Sequence, residues 1–287
     1  AFSLLSKLLI SPGDEIIVED PMTFEVQLIL SSYGAQLYPV PVDERGMQTE
    51  LLPGAHRPRF LFVTPSHHFP IGGILPVTRR LQLLHFARET DCYLVEDDYD
   101  SEFRYQGSPI SSLQGLEPER VIYIGTFSKI LSPALRLGYL VLPKELITGS
   151  RAIKRLIDLH SPSLEQLILA RFIEEGHLEK HIMKMKRVYQ RRRGTLIGVL
   201  KKHFSDQVEI LGDATGLHLV ARFPDLVFTP EVISMIERQG VRIYPVETHA
   251  IHKGMHLHEI ILGYSHLSNE QIEEGILRLK QALNHTL

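Results

Sequence analysis

The segment "GTFSKILSPALRLGY", Gly125 to Tyr139, sets Lys129 among small hydroxyl residues directly after the apolar run "RVIYI". A lysine at a strand exit is ordinarily a solvated surface group, so its neighbours decide whether it can do chemistry. Thr126 and Ser128 supply hydroxyl donors, and Arg136 supplies a planar fork that matches phosphate oxygens. Pro133 stiffens the loop that carries Arg136 back toward the same point. An amine inside an anion-binding surround is what capture of a phosphorylated aldehyde requires, and pyridoxal phosphate is an aldehyde cofactor of that kind.

A second cluster complements the first. In "CYLVEDDYDSEF" an apolar run ends in the consecutive acids Glu96, Asp97 and Asp98. An exposed acidic run is normally a solvated turn. Acids that close a buried strand are harder to dismiss, because uncompensated buried charge is costly. Side chains alternate along a strand, which puts Asp97 and Tyr99 on one face and Glu96 and Asp98 on the other. A carboxylate under a pyridine ring keeps the ring nitrogen protonated and the ring an electron sink. A phenol two residues on can reach the ring's 3-oxygen.

Regular elements must bring these groups together. From residue 15 to residue 143 the β-rich runs "EIIVED", "AQLYPVPV", "RFLFVTPS", "CYLVEDDY", "VIYIGTFS" and "LGYLVLP" alternate with helical patterns such as "PVTRRLQLLHFARETD". Alternation of this kind predicts a largely parallel sheet covered by helices, with ligands at the carboxyl ends of its strands. A long helical stretch follows from Ser163 to Phe204, interrupted near "EEGHLEKH". After it come "GLHLVARF", the helix "PEVISMIERQG", the strands "VRIYPV" and "HEIILGYS", and a closing helix "NEQIEEGILRLKQAL". The reading is an α/β chain: a large domain over residues 1–150 with a mostly parallel sheet, then a connecting helix and a smaller C-terminal α/β domain over 151–287. The basic face "KMKRVYQRRR" reads as a solvated or subunit-facing side rather than a nucleic-acid stripe.

Composition narrows the function classes. The 287 residues are 44% hydrophobic and 23% charged, with a net charge of -3, which fits a soluble globular protein without a nucleic-acid surface. A single cysteine, Cys92, excludes an internal disulfide and fits a reducing, cytoplasmic setting. No apolar run approaches the roughly 18 residues of a membrane span. The opening "AFSLLSKLLISPGD" lacks the pattern of a signal peptide and reads as a helix already under way, as in a chain cut from something longer.

With both clusters in view, "EDDYDSEFRY" followed by "GTFSKILSPALRLGY" resembles the fold-type I aminotransferases. It is most similar to the aminotransferase-like domain of the MocR branch of GntR-type transcription regulators, typified by the regulator of γ-aminobutyrate utilisation. The likeness extends over essentially the whole chain, from "PGDEIIVEDP" through "TPSHHFPIGG" and "HIMKMKRVYQRRR" to "TGLHLV". It implies that Lys129 is the lysine of an internal aldimine, Asp97 the partner of the pyridine nitrogen and Tyr99 that of the 3-oxygen. Ser128, Arg136 and Thr126 would bind the phosphate. It also implies a homodimer, an amino acid or related amino compound as effector bound as an external aldimine, and DNA contact only through an N-terminal helix-turn-helix that this sequence lacks.

Several residues depart from the enzymes of that fold. Their "NPTG" asparagine, which contacts the 3-oxygen, is matched here by Phe69 in "HHFPIGG", and "EDDYDSEF" replaces "ED-x-PY"; both favour the regulator. His67 or His68 lines the cofactor pocket or else satisfies nearby backbone groups. The family's Gly-Thr/Ser-Gln phosphate loop would lie just before Ala1. Where the family has "EDP-G/T-Y", with its tyrosine stacked on the pyridine, this chain reads "EDPMTF", which makes Phe24 the stacking candidate against a plain core role. The γ-aminobutyrate regulator's carboxylate-binding arginine is matched by Thr248 or His249, which points to a different effector. The remaining histidines, His252, His256, His258 and His266, read with His249 as mobile loop residues rather than a metal site. Arg222 either faces a ligand or pairs with Asp225 or Glu209. The readings in competition are an effector sensor, a working aminotransferase of the 2-aminoadipate or aromatic type, and a cofactor-free assembly domain.

Overall fold

Six of the β-rich runs become strands of one sheet. In the computed structural model, which describes residues 1–54, 56–108 and 110–284, these strands are β1 (Glu15–Asp20), β2 (Gln36–Asp43), β4 (Phe60–Val63), β5 (Tyr93–Asp98), β6 (Val121–Thr126) and β7 (Gly138–Val141). A two-residue β3 (Gly46–Met47) adds an edge, giving the order β3-β2-β1-β4-β5-β6-β7. Strands β2, β1, β4, β5 and β6 run parallel; β3 and β7 are antiparallel to their neighbours. The parallel register sends the chain ends of β1, β4, β5 and β6 to one edge, where the chemistry-bearing residues stand.

Both faces are covered, as an almost wholly buried parallel sheet demands. Ile17, Leu61, Val63 and Leu94 pack under helix α3 (Val77–Glu89) through Leu83, Leu84 and Ala87. On the other face Ile16, Phe60, Val95 and Ile124 meet Leu5 and Leu9 of α1 (Phe2–Leu9) and Val26 and Leu30 of α2 (Phe24–Ser32). A short α4 (Leu113–Leu116) precedes β6, and α5 (Lys144–Asp158) follows β7 and joins the α1 side through Leu146.

The helical stretch after residue 163 divides into α6 (Ser163–Glu174) and α7 (His177–Phe204), with Gly176 in a left-handed conformation, φ 71°, at the break. Helix α7 is 28 residues long. At 1.5 Å per residue that is about 42 Å. Its Leu196, Leu200 and Phe204 enter a second core with a four-stranded antiparallel sheet ordered β10-β11-β9-β8: β8 (Glu209–Leu211), β9 (His218–Arg222), β10 (Tyr244–Pro245) and β11 (Glu259–Gly263). Helices α8 (Pro230–Arg238) and α9 (Asn269–Leu283) cover it, the latter started by a Ser268/Gln271 capping box. The expected strand "VRIYPV" contracts to two residues, since Pro245 has no N–H for a ladder and β10 lies on the sheet edge.

The two sheets touch through backbone. Gly72 (φ 82°), after β4, and Gly212 (φ 69°), after β8, pack so closely that a Cβ on Gly72 would lie 2.4 Å from the Gly212 Cα. A glycine is required at both positions.

Candidate functional site

At the strand ends of the parallel sheet, where the smaller sheet meets it, lies a cavity of 550 Å³. Lys129, Asp97 and Tyr99 form its floor, as their strand positions predict. The opposite face of β5 is employed elsewhere. Glu96 accepts hydrogen bonds from the Leu113 and Gln114 N–H groups at 3.1 and 3.0 Å, and Asp98 accepts from Ser101 and Tyr123, both at 2.8 Å.

Asp97 differs from both neighbours. Among the described residues nothing hydrogen-bonds to its carboxylate. Burial, reinforced by the Asp98 and Asp100 carboxylates, pushes its pKa up to about 7. A deep carboxylate without a protein partner, opening on a cavity shared with a lysine, is poised for a cationic partner from outside the chain. Neither does the Lys129 ammonium have a hydrogen-bond or ion-pair partner among the described residues. Its charge is felt by His218 across the cavity.

Tyr99 is held from behind by His67. The imidazole Nδ1 lies 2.9 and 3.0 Å from the Asp100 carboxylate oxygens and 3.1 Å from the Tyr99 hydroxyl. A carboxylate only accepts, so Nδ1 carries the proton and donates it; the phenol oxygen takes a lesser share, and its own O–H stays free to donate into the cavity. His67 therefore supports the site without lining it, and its Nε2 is buried without a partner beside the His218 ring, 4.6 Å away between centroids. The pair fits only because residue 216 is glycine: a Cβ there would fall 1.9 Å from the His67 ring and 2.6 Å from Asp100. The Gly216 carbonyl also accepts from the Tyr105 and Tyr264 hydroxyls, at 2.8 and 2.7 Å.

His68, the other candidate, is buried beneath this layer. Its Nε2 lies 3.6 Å from Glu19, yet the two are not an ion pair. Burial lowers the His68 pKa to about 3 and raises that of Glu19 to about 8, so both are neutral near pH 7.

The expected phosphate binders lie around the turn that bears the lysine. Thr126 ends β6, and its Oγ1 accepts from the Ser128 N–H at 3.1 Å, shaping the turn into Lys129. Arg136 has a left-handed backbone, φ 51°, a strained conformation for a residue with a side chain. Its guanidinium is exposed. None of Thr126, Ser128 and Arg136 lines the cavity proper; they stand beside its Lys129 end. Gly125, opposite Tyr139 in the ladder, leaves room for that ring, which a Cβ would meet at 2.2 Å.

Phe24 opens α2 with its side chain 40% exposed and outside the cavity lining, whereas Thr23 and Glu25 on either side contribute to it. Phe69 lines the wall, edge-on to His218 and His249. Four of the five loop histidines have partners. His249 Nδ1 accepts from the Phe24 N–H at 3.3 Å, His252 pairs with Asp20 at 3.0 Å, His256 with Glu259 at 2.7 Å, and His258 donates to the Leu226 carbonyl at 2.8 Å. Arg222 pairs with Glu259 and Glu209, at 2.7 and 3.3 Å, and lies outside the Lys129 cavity. Two arginines of the basic helical face also have specific uses: Arg193 pairs with Asp213 at 2.6 Å, and Arg192 donates to the Ser265 carbonyl.

Sequence reasoning did not assign cavity positions to His218, Tyr244, Ile261 and Leu217. They come from the second sheet or the residue leading into it, each more than a hundred residues from Asp97, and nothing in their local pattern marks them.

An unpartnered lysine and buried carboxylate flanked by a freed phenol, at the carboxyl edge of a parallel sheet, define a site of the pyridoxal phosphate type, and the residues present fit that group. The comparisons agree. The family model for aminotransferase class I and II matches residues 1–276, and the chain belongs to that family. It is 39% identical over 97% of its length to an uncharacterized HTH-type transcriptional regulator, YhdI, of Bacillus subtilis, covering 60% of that protein. It is 36% identical over 98% of its length to the probable rhizopine catabolism regulatory protein MocR of Rhizobium meliloti, covering 57% of it. The chain thus spans under two thirds of these regulators. Among solved structures, the α-aminoadipate aminotransferase LysN of Thermus thermophilus, complexed with N-(5'-phosphopyridoxyl)-L-leucine, matches with a TM-score of 0.92 and 27% identity, over 99% of this chain and 74% of that one.

Proposed function

We propose that residues 1–287 form the effector-sensing and dimerisation part of a transcription regulator, with pyridoxal phosphate held at Lys129 and an amino compound as effector. The observation that carries the reading is the pairing of Lys129 with Asp97 in one cavity, each without a protein partner among the described residues. When bound, the cofactor would supply an aldehyde able to take up a primary amine and a ring able to draw electrons from it. Lys129 would hold it through its amine, and Asp97 would keep the ring nitrogen protonated. Tyr99, oriented by His67, would donate to the 3-oxygen. Thr126, Ser128 and Arg136 would take the phosphate. Sensing then needs only a difference in effector affinity between two arrangements of the chain. In this reading DNA is contacted by a helix-turn-helix outside these residues, as the regulators' names suggest.

A homodimer is supported by an apolar face on α5 and α6: Leu156, Leu159, Leu164, Leu167 and Ile168 all stand well exposed. A stripe of that extent is unusual on a solitary chain.

The test is absorbance. The chain incubated with pyridoxal phosphate and desalted is expected to be yellow, and Lys129→Ala colourless; identical spectra would overturn the assignment. The likeness to LysN supports a second reading, a working aminotransferase. Sustained turnover of an amino acid with 2-oxoglutarate would favour it, and none under saturating cofactor would leave the sensor.

A further inference from the structure

The wall of the cavity facing away from Lys129 carries no fixed positive charge. Lys129 is its one lysine or arginine among the described lining residues, and in the reading above, on which this inference rests, that amine is committed to the cofactor. Phe69, Leu217, Tyr244 and Ile261 present apolar surface. Two imidazoles complete the wall, and hydrogen bonding fixes what they offer. His249 Nδ1 accepts a backbone N–H, so it holds no proton and the ring is neutral. His218 Nε2 donates to the Pro70 carbonyl at 2.9 Å, and burial pushes its pKa well below the usual imidazole range. Besides Asp97, the one further charge in the lining is Glu25, exposed in the first turn of α2 and close enough to influence His249; Lys253, which also acts on His249, and Arg242, over the Tyr244 ring at 5.3 Å, lie outside the lining.

A carboxylate brought against this wall would lose its water and meet no cation among the described lining residues, a cost of several kcal/mol. An ammonium or apolar tail meets no such penalty. We infer that the amino compound taken by this cavity is a primary amine with no acid group, its body against Phe69, Leu217, Tyr244 and Ile261 and its far end toward Glu25, rather than an amino acid.

Matched pairs test this on the cofactor-loaded chain: putrescine against γ-aminobutyrate, and phenethylamine against phenylalanine. Each is titrated by the change in cofactor absorbance and, independently, by the shift in melting temperature. Each amine is expected to half-saturate at a concentration at least about tenfold below that of its acid partner. An acid that binds as well as its amine, in either pair, overturns the inference. So does silence from all four compounds on a chain whose colour depends on Lys129, an outcome that leaves the cofactor assignment standing. Loss of that colour dependence would instead remove the assignment and the inference with it. Glu25→Gln, an exposed change, is expected to weaken putrescine by about threefold or more while leaving phenethylamine unaltered. Unchanged putrescine binding would remove Glu25 from the recognition.

Discussion

The two sides of the cavity are built on opposite terms. The side from the parallel sheet is charged and under-satisfied: Lys129 and Asp97 lack partners among the described residues, and Tyr99 keeps a free O–H because its oxygen accepts from the His67 Nδ1–H, which Asp100 orients. The side from the second sheet is neutral and self-satisfied: His218 is bonded to Pro70, and Ile261 lies within a β-ladder. Groups left wanting mark where a cofactor binds; groups already content set what else fits beside it. An aldehyde chemistry common to many proteins can thus be kept on one wall while ligand choice is rewritten on the other.

Substitutions on either side sharpen that contrast. The largest effect belongs to Lys129→Ala, which is expected to abolish covalent cofactor binding outright, as judged by loss of colour and of a borohydride-trapped mass. Asp97→Asn comes next. Removing one member of a buried charge pair costs about 3–5 kcal/mol, so cofactor affinity, measured by equilibrium dialysis, is expected to fall by about a hundredfold or more. The same variant has a pH signature without cofactor. The folded Asp97 pKa, about 7, lies above its ordinary value of 3.8. The fold therefore favours the protonated acid; that contribution is fully present below the ordinary value and is lost as pH rises through about 7. Asp97→Asn is expected to gain melting temperature over the cofactor-free parent between pH 4 and pH 8, and a constant difference would contradict the assigned shift. Gly216→Ala drives a methyl into His67 and Asp100 at a left-handed position, φ 80°, and is expected to destabilise the fold by about 2–4 kcal/mol in denaturant titration. Smallest in its effect on the cofactor is His67→Phe, which removes the donor behind Tyr99 and, by leaving the buried Asp100 carboxylate without its partner, is also expected to lower the melting temperature. It is expected to keep the colour, weaken cofactor binding about three- to tenfold and shift the pH at which the spectrum changes.

Away from the cavity, Leu164→Glu with Leu167→Glu is expected to halve the mass measured by light scattering if α6 forms the subunit face.

Much of the charged side is legible in the sequence, and little of the neutral side. Strand alternation alone puts Asp97 and Tyr99 on one face, and a strand exit puts Lys129 at the same edge; both arguments are local. His67 is legible as a candidate, but its true task, behind Tyr99, depends on the close approach of Gly216 from a loop in the other half of the chain. His249 reads as loop because five histidines in a polar stretch have no periodicity. Only the fold brings it against Phe24 and Phe69. Helix α5 is amphipathic in sequence, but its Leu156 and Ile157 stand exposed instead of joining a core, so which face turns outward is decided by the fold.

The contact between Gly72 and Gly212 has a consequence for any motion that a bound amine produces. Neither glycine has a side chain to give way, and beside them Ile71 packs with Leu211, Val220, Val246 and Ile261 in one buried cluster, so the small sheet cannot shift over the large one without repacking that cluster. A single methyl would act as a wedge between them. It would alter the gap between the charged and neutral walls, and so the grip on a ligand, from a point that touches neither the ligand nor the lysine.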